Sequence, residues 1–244
     1  MIRSALLAAL ALAPAAAAAQ ESGNRLVFRL GGGVASTPGY FGSGESELGP
    51  DFAFSFAYGR IGGFEFGDPD PYAPASGLGF GASFRLVPER TAEDYPELAG
   101  LPDLDQSVEL GGQISYAGPG YEAFAAVRYG VTGHESVVAE AGIDAVVRVQ
   151  PDLVLTLGPR VLYGSDDYAA YYFDDPRVGY EAEGGLISAG LEAGFDWRFA
   201  PAWSLYGDAR YDRLQDSAAD SPLTLDDEQV SVSLGVTRVF DLRF

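Results

Sequence analysis

Cysteine and lysine are both absent, and histidine occurs once, at His134. Without cysteine there is no disulfide framework, no thiol nucleophile, no Cys-based metal site and no lipidated cysteine behind an export signal. A single histidine excludes a multi-His metal centre. Long apolar runs are missing too: past the N-terminal segment, nothing approaches the ~18 residues of a membrane-spanning helix. Positive charge is scarce, with 15 arginines against 35 acidic residues and a net charge of −20. A field of that sign argues against binding to nucleic acid or to an anionic lipid surface.

Aromatic side chains are what the chain does contain, with 15 Phe, 14 Tyr and 2 Trp in 244 residues. At the N-terminus, Arg3, an apolar Ala-rich run from Ala5 to Ala13 and small residues at Ala17-Ala18-Ala19 have the pattern of an export signal, predicted to be cleaved after Ala19. Loss of residues 1–19, whose only charge is Arg3, moves the net charge from −20 to −21. Residues 20–24 form a short leader, and 20–244 read as one domain.

Alternation fills the remainder. From Ile187 to Phe199, Ile187, Ala189, Leu191, Ala193, Phe195, Trp197 and Phe199 share one face, opposite Ser188, Gly190, Glu192, Gly194, Asp196 and Arg198. The same two-residue period recurs along Phe52–Tyr58, Leu78–Leu86, Val108–Tyr116, Ala141–Val147, Leu153–Val161, Trp203–Tyr211 and Val230–Phe244, with weaker alternation over Tyr121–Val131. Strands of this length, apolar on one face and polar on the other, are those of a transmembrane barrel facing lipid and lumen by turns. The predicted fold is therefore an all-β, antiparallel, outer-membrane β-barrel of a Gram-negative cell. Ten strands are expected if 50–66 is one long strand, with twelve as the alternative. The closing Phe240-Asp241-Leu242-Arg243-Phe244 places Phe240, Leu242 and Phe244 on one face, the pattern read by barrel-assembly machinery. Arg238 falls on that lipid face and is expected to snorkel or to sit beside a bulge.

Turns set the sides. Gly118-Pro119-Gly120, Gln150-Pro151-Asp152 and Ala200-Pro201-Ala202 are short and belong to the periplasm, with Trp197, Phe199 and Trp203 as an aromatic girdle beside the last. Segments 35–49, 88–105, 166–184 and 215–227 are the outer loops, rich in acids but without the ligand spacing of a calcium loop.

Several of these segments, taken together, resemble the MipA/OmpV family of outer-membrane proteins. They are Thr37-Pro38-Gly39-Tyr40-Phe41-Gly42-Ser43, then Leu98–Asp105 running into Glu109–Gly112, then Tyr171-Tyr172-Phe173 with Tyr180 and Gly184-Gly185, and finally Leu214–Leu223, which contains Asp216-Ser217-Ala218-Ala219-Asp220-Ser221-Pro222. Asp174-Asp175-Pro176 departs from the apolar continuation usual there. The resemblance implies a non-enzymatic scaffold or interaction protein without cofactor, linking a murein lytic transglycosylase to a penicillin-binding protein. Outer-membrane lipid, lipopolysaccharide and the barrel-assembly machinery are the other expected partners. An alternative is a small-solute channel or an adhesin using the acidic outer loops.

Two groups of residues invite a chemical reading. His134-Glu135-Ser136 puts a base two residues from a hydroxyl, as in outer-membrane lipid A deacylases, but the rest of such a site is missing and a loop histidine beside a serine accounts for it. Predicted lumen positions hold Glu109, Glu140, Asp144, Glu192, Asp196, Asp208 and Asp212 with Arg85, Arg148, Arg160, Arg198 and Arg210. In a barrel this narrow, a cross-strand ion-pair network filling the interior is expected in preference to acid/base catalysis. No catalytic, cofactor or metal residue is assigned.

Overall fold

The computed structural model describes residues 23–244; the export signal expected over 1–19 and most of the leader lie outside the described residues. The strands are β1 (Arg25–Pro38), β2 (Ser46–Ile61), β3 (Phe64–Gly67), β4 (Gly77–Val87), β5 (Ser107–Gly118) and β6 (Tyr121–Thr132). They continue as β7 (Val137–Gln150), β8 (Leu153–Gly164), β9 (Gly185–Ala200), β10 (Trp203–Leu214) and β11 (Glu228–Arg243). They form one antiparallel sheet in the order β3-β2-β1-β11-β10-β9-β8-β7-β6-β5-β4, so the first and last long segments meet and the sheet curls on itself.

Outward positions are apolar and exposed, Phe52, Phe54, Leu157, Leu191, Val232 and Leu234 among them, while inward positions carry the charges. This inversion of a soluble core is what lipid as solvent requires. Gly31 and Gly33 in β1 face the β11 backbone at Thr237 and Gly235 with no room for a Cβ, so these glycines permit close strand approach.

Two expectations need correction. Residues 50–66 are not one strand: Gly62 and Gly63, with φ of 58° and 90°, turn the chain back into the four-residue β3. Among the described residues there are thus eleven strands, ten of them long. Nor does a bulge in β11 rescue Arg238, whose pairing with β1 and β10 is continuous. Arg238 stays on the outer face beside Trp203 and Phe240, 5.3 and 5.5 Å from their ring centroids, close to the periplasmic turn at 201–202.

The outer loops are folded. They contain α1 (Asp166–Phe173), α2 (Asp216–Asp220) and a short 3-10 turn at Pro96–Leu98. Ser165 caps α1 by accepting the Tyr168 backbone N–H, and Asp166 and Asp167 favour the positive end of the helix.

Candidate functional site

The interior divides into three levels. At the outer mouth, Tyr168, Ala169, Tyr172 and Phe173 of α1 are buried with Leu162, Ile187, Leu214 and Ala218, and Phe41 packs against this cluster. A second cluster joins Tyr40, Tyr95, Leu98 and Leu223 from three other loops. Arg90 is buried, donating to the Tyr172 carbonyl at 2.9 Å, and Arg177 donates to the carbonyls of Glu97 and Ala99. Burial, then the hydrogen bond to Glu97, raises the Tyr40 hydroxyl above its ordinary range. These contacts tie four loops into a cap over the barrel.

His134 lies under this cap, at the β6–β7 connection. Its Nδ1 is 2.7 Å from Ser136 Oγ and 3.2 Å from the Ser136 amide, which makes Nδ1 the acceptor; Nε2 is 3.4 Å from Glu109 Oε1. The ring packs against Tyr168, Tyr171 and Tyr172. A base, a hydroxyl and an orienting acid are thus brought together, but His134 is 5% exposed and Ser136 is 3% exposed. The ring and the hydroxyl are thus enclosed, and the ring's contacts with Tyr168, Tyr171 and Tyr172 join α1 to the barrel.

Below it runs a belt of charge. Arg128 on β6 donates to Glu109 (2.8 Å) and Glu140 (3.0 Å); Glu140 also accepts from Arg210 (2.6 Å). Arg210 pairs with Asp212 and reaches Glu192 at 3.7 Å, and Glu192 accepts from Arg160, which is bound by Asp144 as well. The belt therefore crosses β5 to β10 in one connected path. Of the candidate lumen residues, Glu109, Glu140, Asp144, Arg160, Glu192, Arg210 and Asp212 sit in it. Asp208 instead accepts from Ser233, Asp196 pairs with Arg29, Arg198 lies over the Tyr72 ring, and Arg148 lines the periplasmic mouth. Sequence reading did not place Arg128, the hub. Its only signal was the alternation of Ala126, Arg128 and Gly130 with Val127, Tyr129 and Val131, blurred by the alanines before it.

The third level is a vestibule of about 810 Å³ at the periplasmic mouth, lined by Arg29, Arg148 and Arg198, by residues of the short turns at 118–120 and 150–152, and by Pro71–Ser76. After β3, the segment 68–76 leaves the wall and lays Tyr72 into the lumen, its hydroxyl 3.2 Å from Ser204 Oγ and its ring beneath Arg29 and Arg198. Among the described residues there is no cluster of His, Asp and Glu suited to a metal ion.

The family model described as "MltA-interacting protein MipA" matches residues 30–240. Two curated relatives, the MltA-interacting proteins of Escherichia coli (strain K12) and Shigella flexneri, are each 33% identical over 96 residues, 36% of this chain. The chain spans 38% of the length of these relatives in that match. Among solved structures, Salmonella typhi OmpF in complex with daunomycin is 13% identical, covering 88% of this chain and 61% of that one, with a TM-score of 0.37. OprG from Pseudomonas aeruginosa is 10% identical, covering 88% and 96%, with a TM-score of 0.31.

Proposed function

The chain belongs to the MltA-interacting protein MipA family of the outer membrane, and on that premise we propose that it is a non-enzymatic scaffold that holds a murein lytic transglycosylase from the periplasmic side. A penicillin-binding protein bound at the same face would complete a link between murein hydrolysis and synthesis. The relatives' name, MltA-interacting protein, supports the first partner. The observation that carries the reading is the polarity of the molecule. The outer mouth is covered by the packing of its own loops, whereas the periplasmic end is open and presents the turn-rich segment 68–76.

The serine and histidine that invited a hydrolytic reading are enclosed by tyrosines, which favours a role without chemistry. Cross-linking capture from intact envelopes tests the proposal, with the wild-type chain compared to one whose 68–76 segment is replaced by glycine and serine. Enrichment of a lytic transglycosylase by wild type, and its loss with the replaced segment, is expected. Undiminished capture would move the contact to the short turns; recovery of lipopolysaccharide and assembly factors alone would remove the scaffold.

A further inference from the structure

The barrel wall is not paired all the way round. β2 is bonded to β1 along its length, but on its other side only Tyr58–Ile61 have a partner, the short β3. Among the described residues, β4 is bonded to β5 and to no other strand. β2 runs toward the periplasm and β4 away from it, so the two edges are oriented to join antiparallel. β3 is wedged at the periplasmic end of that junction and exits it at Gly67, whose φ is 81°.

Unpaired backbone groups in hydrocarbon cost several kcal/mol each. β3 covers the periplasmic end of β2, so the unpaired stretch 46–56 lies toward the middle and outer side of the wall, where its free N–H and C=O groups need polar groups reaching them from the lumen. The vestibule meets the seam just inside β3, since Ser55 of β2 and Ala73–Ser76 leading into β4 belong to its lining. Inward residues on both margins are small (Ala53, Ala57, Gly79, Gly81), while the outward neighbours Phe54 and Phe80 are 66% and 79% exposed. With the outer mouth capped, the vestibule has two ways out: the periplasm and the seam.

Charge defines what fits. Arg148 and Arg198 have no carboxylate partner among the described residues, and neither do Glu122 and Asp152 in the same lining. A mixed lining of this kind suits a headgroup carrying one anion and one cation. We propose that the seam admits a zwitterionic glycerophospholipid of the periplasmic leaflet. Its phosphate lies toward Arg148 and Arg198, its ammonium toward the acids, and its acyl chains pass out between Phe54 and Phe80. The overall negative charge of the chain is no obstacle, because the ligand is neutral and the contacts are local.

The test uses the mature barrel in nanodiscs of phosphatidylethanolamine and phosphatidylglycerol with trace photoactivatable analogues of each, the label on the headgroup or on the acyl chain. Headgroup labelling is expected on peptides bearing Arg148 and Arg198, from phosphatidylethanolamine in excess over phosphatidylglycerol, and acyl labelling at Phe54 and Phe80. The double variant Arg148→Ala, Arg198→Ala should lower headgroup labelling by about tenfold, the scale of one lost charge-assisted hydrogen bond. Acyl labelling of the distant wall at Leu157 and Leu191 should not change. Ser55→Trp, which leaves the arginines in place and fills the margin, should block the same labelling. Labelling spread evenly around the periplasmic rim would overturn the proposal. So would preference for phosphatidylglycerol, competition by soluble glycerol phosphate, or a protein strand cross-linked in the seam instead of lipid.

Discussion

Arg128 is 4% exposed and holds two carboxylates, one on each strand flanking β6, that would otherwise lack a counter-charge between them. Removing one partner of a buried ion pair leaves an uncompensated charge, which costs about 3–5 kcal/mol. Arg128→Ala is therefore expected to lower the temperature at which the detergent-solubilised barrel loses its compact gel mobility, whereas Arg213→Ala at an exposed pair is expected to leave it unchanged. Equal behaviour of the two would mean that the belt does not stabilise the barrel. Arg238 is the converse case, a charge that faces lipid. It stands beside Trp203 at the periplasmic turn, so Arg238→Leu should shift unfolding in lipid vesicles by about 1 kcal/mol or less, the cost of a charge near the interface. A gain of several kcal/mol would put this residue deep in the bilayer. Its exposure to lipid was legible from alternation alone, because Val236 and Phe240 fix the phase on either side. The role of Arg128 was not, since the small residues of β6 carry little contrast between the two faces.

At the scale of elements, the hairpin at Gly62-Gly63 was hidden by arithmetic. A two-residue turn reverses the even–odd phase, since Ile61 pairs with Phe64, but a bulge at Ala57 in β2 has already reversed it once, so Phe64 and Phe66 continue the series of Phe52, Phe54 and Phe56 as if no turn intervened. Phe66 in fact stacks on Phe56, with ring centroids 5.2 Å apart. Helices α1 and α2 were hidden for a different reason: at eight and five residues they are held by tertiary packing, not by a periodic apolar face of their own. The cap they build has an acid-sensitive joint. The Arg177 guanidinium bonded to Asp175 holds that carboxyl below its ordinary value of 3.8. A depressed folded pKa contributes stability that is complete above the unfolded value and is lost as pH falls through the folded one. Amide exchange in 174–184 is thus expected to be slow and independent of pH-driven opening down to the carboxylate range, then to rise below 3.8. Asp175→Asn should show the faster exchange at neutral pH as well. A joint that stays closed at acid pH in the wild type would assign the cap's stability to its aromatic core alone.

For the whole molecule, the question is whether a barrel with so many interior charges conducts. An acid excess in the lumen, read from sequence, points toward a small cation-selective pore. Two features of the folded arrangement weigh against it. Eight side chains from β5 to β10 bridge one another across the interior in the belt, and above it the cap packs Phe41, Tyr172 and Phe173 over the mouth. A cavity of about 550 Å³ lies between belt and cap and one of about 810 Å³ on the periplasmic side, with the belt between them. Opening a path through the belt would leave a displaced residue's partner with an unpaired charge. Planar bilayers containing the mature barrel are therefore expected to show no steady current, and Arg210→Ala, which opens the centre of the belt, should give at most brief events while the cap persists. A steady, cation-selective conductance from the wild-type chain would restore the channel reading and weaken the scaffold. Silence would leave the periplasmic face, with its open vestibule and its exposed segment, as the working end of the molecule.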